Sequence, residues 1–299
     1  MGTPSFAVSS LDALVKVGFN IVAVITAPDK PAGRGQKVSQ SAVKIYAEGN
    51  GIPVLQPQKL KDPEFILKLK SLNADLQVVV AFRMLPEIVW NMPAKGTINL
   101  HASLLPQYRG AAPINWVIIN GEKTTGITTF FLKHEIDTGD ILFAEKVSIG
   151  PQETAGELHD KLMIAGSHLL VQTVKAIQSG DYNETSQDNS GGKELLHAPK
   201  LFKEDSLLNW NLPALTVYNR IRGLSPYPTA YTFILNKSLK IFHADLELAK
   251  HELNPGTHYT DGKTFLKFAC PDGFISVRDV QIEGKKRMKI DEFLRGVRL

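Results

Sequence analysis

Residues 96–116 read GTINLHASLLPQYRGAAPINW. Thr97–Leu100 has the look of a short strand, the residues after it form a loop punctuated by Gly and Pro, and Pro113 opens a helix. Proline suits that first helical position because the N–H it lacks would have no intrahelical partner. Working outward, NIVAVITA (20–27) and DLQVVVAF (75–82) are Val- and Ile-rich runs bounded by polar residues, which reads as strands buried on both faces. GITTFF (126–131) is another strand candidate, followed by 141–144. Helical spacing of apolar residues marks 5–17, 40–50, 62–72 and 113–120, and 153–178 reads as a long closing helix. Strand alternating with helix predicts an α/β domain with a parallel sheet covered by helices.

Residues 179–194 (SGDYNETSQDNSGGKE) carry almost no apolar side chains and read as a hinge. Beyond them a helical segment (212–224) leads into short alternating segments at 231–235, 239–243, 264–269, 274–277 and 279–283, the pattern of a small barrel. The division expected is therefore 1–183 for a catalytic domain, 184–200 for a linker and 201–299 for a C-terminal barrel. Gly2-Thr3-Pro4 before an amphipathic helix resembles a strand-to-helix turn with only Met1 ahead of it. The reading at this point is that a first strand lies upstream and that Met1 is not the true start.

The composition is that of an ordinary globular protein: 299 residues, 43% hydrophobic and 21% charged. Disordered, collagenous and membrane-spanning classes are excluded by it, and about two domains of roughly 150 residues are expected. The net charge of +4 is unevenly placed: residues 1–199 hold 18 Lys and Arg against 19 Asp and Glu, and residues 200–299 hold 16 against 11. A basic appendage on a neutral body suits a polyanion, although ordinary surface variation accounts for it as well. The single cysteine, Cys270, allows no internal disulfide and fits a reducing cytoplasm. No secretion signal or apolar run of about 18 residues is seen. Gly33-Arg34-Gly35 does not continue into a dinucleotide fingerprint, there is no phosphate loop or nucleophile elbow, and the eight histidines are scattered, so no metal is expected.

Chemistry concentrates at the ends of the strands. Asn99 and His101 are two apart, so on extended backbone they project to one side. An amide and an imidazole there can polarise a carbonyl and stabilise an oxyanion. From the pair alone, turn hydrogen bonding by Asn99 and a satisfied loop histidine is the commoner reading of such residues. HEIDTGD (134–140) sets Asp137 and Asp140 around a Thr-Gly turn; Asp137 can orient His101 or accept a proton, or belong to an ordinary Asp-rich turn. Together the three suit acyl transfer without a covalent intermediate. Lys30, Arg34 and Lys37 occupy a Pro/Gly-rich loop, and Lys285, Lys286 and Arg287 form a basic cluster suited either to phosphate contacts or to a charged hairpin tip.

MGTPSFAV (1–8), PDKPAGRGQKV (28–38), NLHASLLPQYRGAAPINW (99–116), DTGDIL (137–142), KLFKEDSLLNWN (200–211), RIRGLSPYPTAY (220–231) and GKKRMKIDEFLRG (284–296) together resemble the methionyl-tRNA formyltransferase family of folate-dependent formyltransferases, over essentially the whole chain. The S-L-L-P-x-Y-R-G core and the D-T-G-D turn are shared with formyltransferases acting on glycinamide ribonucleotide and on amino sugars; the Pro-Ala-Gly-Arg-Gly loop and the C-terminal region point to the tRNA branch. The resemblance implies a Rossmann-like parallel-sheet formyltransferase domain joined to a small OB-like β-barrel. It implies 10-formyltetrahydrofolate as donor, methionyl initiator tRNA as acceptor, no metal, no membrane, and a cytoplasmic monomer active in translation initiation. Asn99, His101 and Asp137 fall on the family's catalytic positions. Ser103, Leu104, Leu105 and Pro106 fall on its folate-binding loop, and Arg83, Met84 and Leu85 on the segment lining the pterin pocket. Here the chain reads AFRMLP (81–86) where many members resemble AYGxxLP. Arg34 and Lys37 would reach the tRNA acceptor stem, and Lys285, Lys286 and Arg287 its backbone. Three alternatives stay open: an amino-sugar or nucleotide formyltransferase, which should not need the C-terminal barrel, a folate-dependent formyl hydrolase, and a non-catalytic tRNA-binding module.

Overall fold

The computed structural model of the chain describes residues 1–32, 37–187 and 194–298. They form two compact units, one of residues 1–109, 126–147 and 159–197, the other of residues 110–125, 148–158 and 198 onward.

In the first unit the expected helices form, as Ser5–Lys16, Ala42–Gly49 and Pro63–Ser71. Two of them start on side-chain caps that take up otherwise orphaned N–H groups. Ser41 Oγ accepts from the Lys44 N–H at 3.0 Å, and Asp62 accepts from the Glu64 N–H at 2.9 Å. Gln77–Val80 pairs in parallel with Thr97–His101, setting Val79 opposite Asn99. A separate parallel pair, Val24–Ile25 with Val54–Leu55, accounts for only part of the strand expected over 20–27. Residues 20–23 line a cavity of about 530 Å³ instead of a neighbouring strand. Met1 and Gly2 lie beside it, between Ile25 and Val80: Gly2 N donates to Ile25 O at 3.1 Å and Val80 N to Met1 O at 2.9 Å.

The outer half of the sheet departs from parallel order. Thr97–His101 pairs antiparallel with Thr124–Phe131, with His101 opposite Thr128, and Ile141–Ser148 flanks that strand. A parallel return would need a crossover laid back over a sheet face. The connection that exists supplies none, since its helix, Pro113–Ile119, belongs to the second unit. Ile98, Ile127, Phe130, Leu162 and Leu170 are fully buried or nearly so, each worth about 1.5–3 kcal/mol of apolar burial.

The second unit packs Pro113–Ile119 against Ala214–Gly223. Asn115 Nδ2 donates to Gly223 O at 2.7 Å, and a Cβ on Gly223 would collide with Ile119, so glycine permits the close approach. Its sheet is antiparallel and six-stranded, ordered Ala230–Ile234, Lys237–Leu248, Gly273–Ile282, Leu266–Cys270, His258–Thr260, with Met288–Lys289 also on Gly273–Ile282. The two strands expected at 274–277 and 279–283 are one. The interruption read at Arg278 is a bulge, since His243 pairs with Asp279 and Ala244 with Val277, leaving Arg278 without an opposite residue. Bulges bend a sheet, and this one curls into a half-barrel over a core that includes Phe268, Phe293, Leu239 and Ile241.

Candidate active site

Gln77–Val80 and Thr97–His101 run in parallel, so residues 83–85 and 102–106 leave the sheet at the same end, the end where open α/β sheets bind ligands. His101 is 6% exposed and its Nε2 lies 3.0 Å from Tyr108 O. A carbonyl only accepts, so Nε2 carries a proton and Nδ1 is left to face Asp137 Oδ2 at 3.8 Å. That separation is electrostatic contact, beyond hydrogen-bond length. Asp137 adopts φ +57°, a left-handed conformation uncommon outside glycine. Asn99, half-buried, shares the strand with His101, and its amide makes no hydrogen bond among the described residues.

The loop after His101 closes on itself. Ser103, fully buried, donates its hydroxyl to Gln107 O at 2.6 Å. Thr128 Oγ1 donates to Ser103 O at 2.7 Å and accepts from Leu105 N at 3.2 Å. Leu105 is buried, and Leu104 packs over Gly126, where a Cβ would strike it. Met84 and Leu85 line, with Leu60, Pro86 and Ile88, an open depression of about 630 Å³; Met84 is 74% exposed. Arg83 shares this rim, but its guanidinium donates to Gln58 O at 2.9 Å and to Pro57 O at 2.5 Å and lies over the Phe82 ring.

Tyr108 and Arg109, the Y-R of the S-L-L-P-x-Y-R-G core, border the candidate site together with Thr128 and Gln187, which nothing in the sequence singles out. Arg109 donates to Gln187 Oε1 through Nε at 3.1 Å and Nη2 at 2.7 Å. Residues read as linker thus lie along the first unit: Ile141 and Thr185 exchange N–H···O bonds of 2.8 and 2.9 Å, and Tyr108 N donates to Leu196 O at 2.6 Å. The only signal available was that so polar a stretch needs partners for its hydrogen bonds.

Among the expected tRNA contacts, Arg34 lies outside the described residues and Lys37 begins the short strand Lys37–Ser39. Lys285 and Lys286 are exposed on the turn between Gly273–Ile282 and Met288–Lys289. Arg287 is engaged: it grips Asp279 with two bonds of 2.9 and 2.7 Å and lies over the Phe242 ring at 4.3 Å. Burial alone would raise the Asp279 carboxyl, yet Arg287, with Lys289, carries it below the usual range, while Asp279 raises the Arg287 guanidinium. Among the described residues no His, Cys, Asp or Glu cluster could hold a metal, and no helix is long and apolar enough to cross a membrane.

An amide, an imidazole and a carboxylate near a strand end, with an apolar depression at the same end of the sheet, are a set suited to acyl transfer to an external acceptor. Residues 1–174 match the family model described as formyl transferase, and residues 200–298 the one described as formyl transferase, C-terminal domain. The chain belongs to the formyl transferase family and is an enzyme of that class. Within it, the chain is 54% identical to the methionyl-tRNA formyltransferase of Bacteroides fragilis, over 100% of this chain and 94% of the relative. The protein of that name from Flavobacterium johnsoniae is 50% identical over 99% and 95%. Among solved structures, WlaRD, a sugar 3N-formyl transferase with dTDP and 5-N-formyl-THF, aligns at TM-score 0.68 and 21% identity, over 95% of this chain and 97% of that one. The N-formyltransferase of Helicobacter canadensis, with folinic acid and dTDP-3-aminofucose, aligns at 0.65 and 20%, over 94% and 97%. A sugar formyltransferase therefore shares the fold over nearly the full length, and a C-terminal unit does not by itself select the acceptor.

Proposed function

We propose that the chain transfers the formyl group of 10-formyltetrahydrofolate to the α-amino group of methionyl initiator tRNA. The observation that carries this reading is the gap in identity: 54% over the whole chain to a methionyl-tRNA formyltransferase, against 21% to a sugar enzyme of the same fold. Ser103–Pro106 and the Met84–Leu85 rim would hold the donor. The loop's inward polar groups are already satisfied by Thr128 and Gln107, and the depression is lined mainly by apolar side chains, which suits a flat ring system. Arg83, turned to the Pro57 and Gln58 carbonyls, shapes the rim.

An α-amine has an ordinary pKa of about 8, so it must shed a proton before it can attack. Its nitrogen bonds to the formyl carbon, the bond from that carbon to the donor's nitrogen breaks, and the proton passes from one nitrogen to the other. While the formyl oxygen carries charge, the Asn99 amide supplies an N–H to it. His101, its Nε2–H fixed on Tyr108 O, presents Nδ1 as the site that takes up and returns the proton, and the Asp137 carboxylate stabilises the ring while it is charged. With that proton in place, Nδ1–H also donates toward the oxygen.

The test is formyl transfer to charged initiator tRNA, with elongator methionyl-tRNA as control. Asn99→Ala or Asp137→Asn should lower kcat by about 10²–10³ while the melting curve and donor binding are kept. Near-normal turnover by either purified variant refutes its role. The amino-sugar reading is tested on the full chain, by offering a dTDP-linked amino sugar as competing acceptor.

A further inference from the structure

Two of the catalytic candidates, His101 and Asp137, sit in a closed circuit of contacts whose remaining member is Gln187. His101 donates through Nε2 to Tyr108 O; Arg109, the next residue, donates twice to Gln187 Oε1. Gln187 Nε2 donates to Asp137 O at 3.0 Å and to Gly139 O at 2.6 Å, and Asp137 Oδ2 faces His101 Nδ1 again. The side chain is 4% exposed, and both donors and both acceptor positions of its amide are used. Its orientation is unambiguous, because a guanidinium only donates and a backbone carbonyl only accepts.

The turn it grips needs a grip. Asp137 is in the left-handed region, and residues 134–136 before it are exposed. On the far side the turn is pressed against the Phe131 backbone, so closely that a Cβ on Gly139 would collide with Phe131 O. Gln187 holds the carbonyls of Asp137 and Gly139 from within, and a strained backbone conformation persists only where its surroundings enforce it.

We infer that Gln187 is a positioning residue for the transfer reaction, fixing the Asp137 turn so that its carboxylate stays on His101. The inference rests on the catalytic reading of Asp137 above. It also assigns a role to the beginning of the segment that reads as linker: that stretch supplies part of the frame of the active site.

Gln187→Glu separates this from a general structural role. The substitution keeps the side-chain shape and an oxygen for Arg109, but removes both donors and sets a carboxylate oxygen against two carbonyls. Displacing a reacting group by about 1 Å costs on the order of 10² in rate, so kcat for transfer to charged initiator tRNA should fall by about 10- to 100-fold. KM for donor and acceptor should change by no more than about threefold. In an Asp137→Asn background, followed by single turnover, Gln187→Glu should cost little more, since residues that act as one unit are not additive. Wild-type kcat in Gln187→Glu, a loss confined to KM, or the same fold-loss in both backgrounds would overturn the assignment. Full activity of Asp137→Asn alone would instead remove the reading on which it rests, and the two failures are told apart by that single variant.

Discussion

Thr128 shows how much one hydroxyl can organise. It stands opposite His101 in the ladder and serves the loop twice, donating to Ser103 O and accepting from Leu105 N. Valine has the same shape and neither function. Thr128→Val should therefore leave a buried carbonyl and N–H unpaired and cost about 1–3 kcal/mol, read as a lower melting temperature. It should also raise KM for the formyl donor several-fold while kcat at saturation holds. An unchanged KM would mean that the loop keeps its shape without this clamp. Asn99 and His101 stood out in the sequence because two polar residues at i and i+2 end an apolar strand; Thr128 sits in GITTFF, where a threonine is an ordinary strand former.

At the scale of elements the 137–140 turn is the part whose chemistry was half legible. D-T-G-D announces a turn, and the usual reason for its glycine would be a positive φ. The structure divides the roles differently: Asp137 takes the left-handed conformation, and Gly139 is needed because Phe131 O passes where a Cβ would be. That oxygen belongs to a strand and cannot move aside, so Gly139→Ala should push the turn away from His101 and lower kcat by about 10². Single-turnover rates, with donor affinity measured alongside, check this; a fast Gly139→Ala enzyme would show that the turn tolerates displacement. The C-terminal strand Gly273–Ile282 carries a similar lesson. Its break in alternation at Arg278 is real, but it is a bulge within one strand and not a gap between two.

Across the whole molecule the basic excess of the last hundred residues resolves into committed and free charge. Arg287 is spent on Asp279, whereas Lys285 and Lys286 are exposed and form no ion pair among the described residues. The double variant Lys285→Ala/Lys286→Ala should raise KM for charged tRNA and flatten its salt dependence, by about one unit of log–log slope for each phosphate no longer neutralised. Arg287→Ala should act mainly on the melting temperature, because Asp279 is 6% exposed and would keep only Lys289, at 3.5 Å. A salt-independent KM in the parent protein would defeat the phosphate assignment. Cutting the chain near residue 190 is a poor way to separate acceptors, since it strips Pro113–Ile119 of the Ala214–Gly223 helix it packs on. The sequence by itself determined the helices, the α/β class and a two-part organisation, and it singled out Asn99, His101 and Asp137 as candidates. Those follow from local spacing, caps and motif residues. Only the tertiary structure decided that the sheet turns antiparallel after Thr97–His101, that 110–125 and 148–158 join the C-terminal unit, and that Gln187 and Thr128 frame the site. Each of these depends on which distant backbone groups meet, and the pattern of side chains along one strand or loop does not encode its partner.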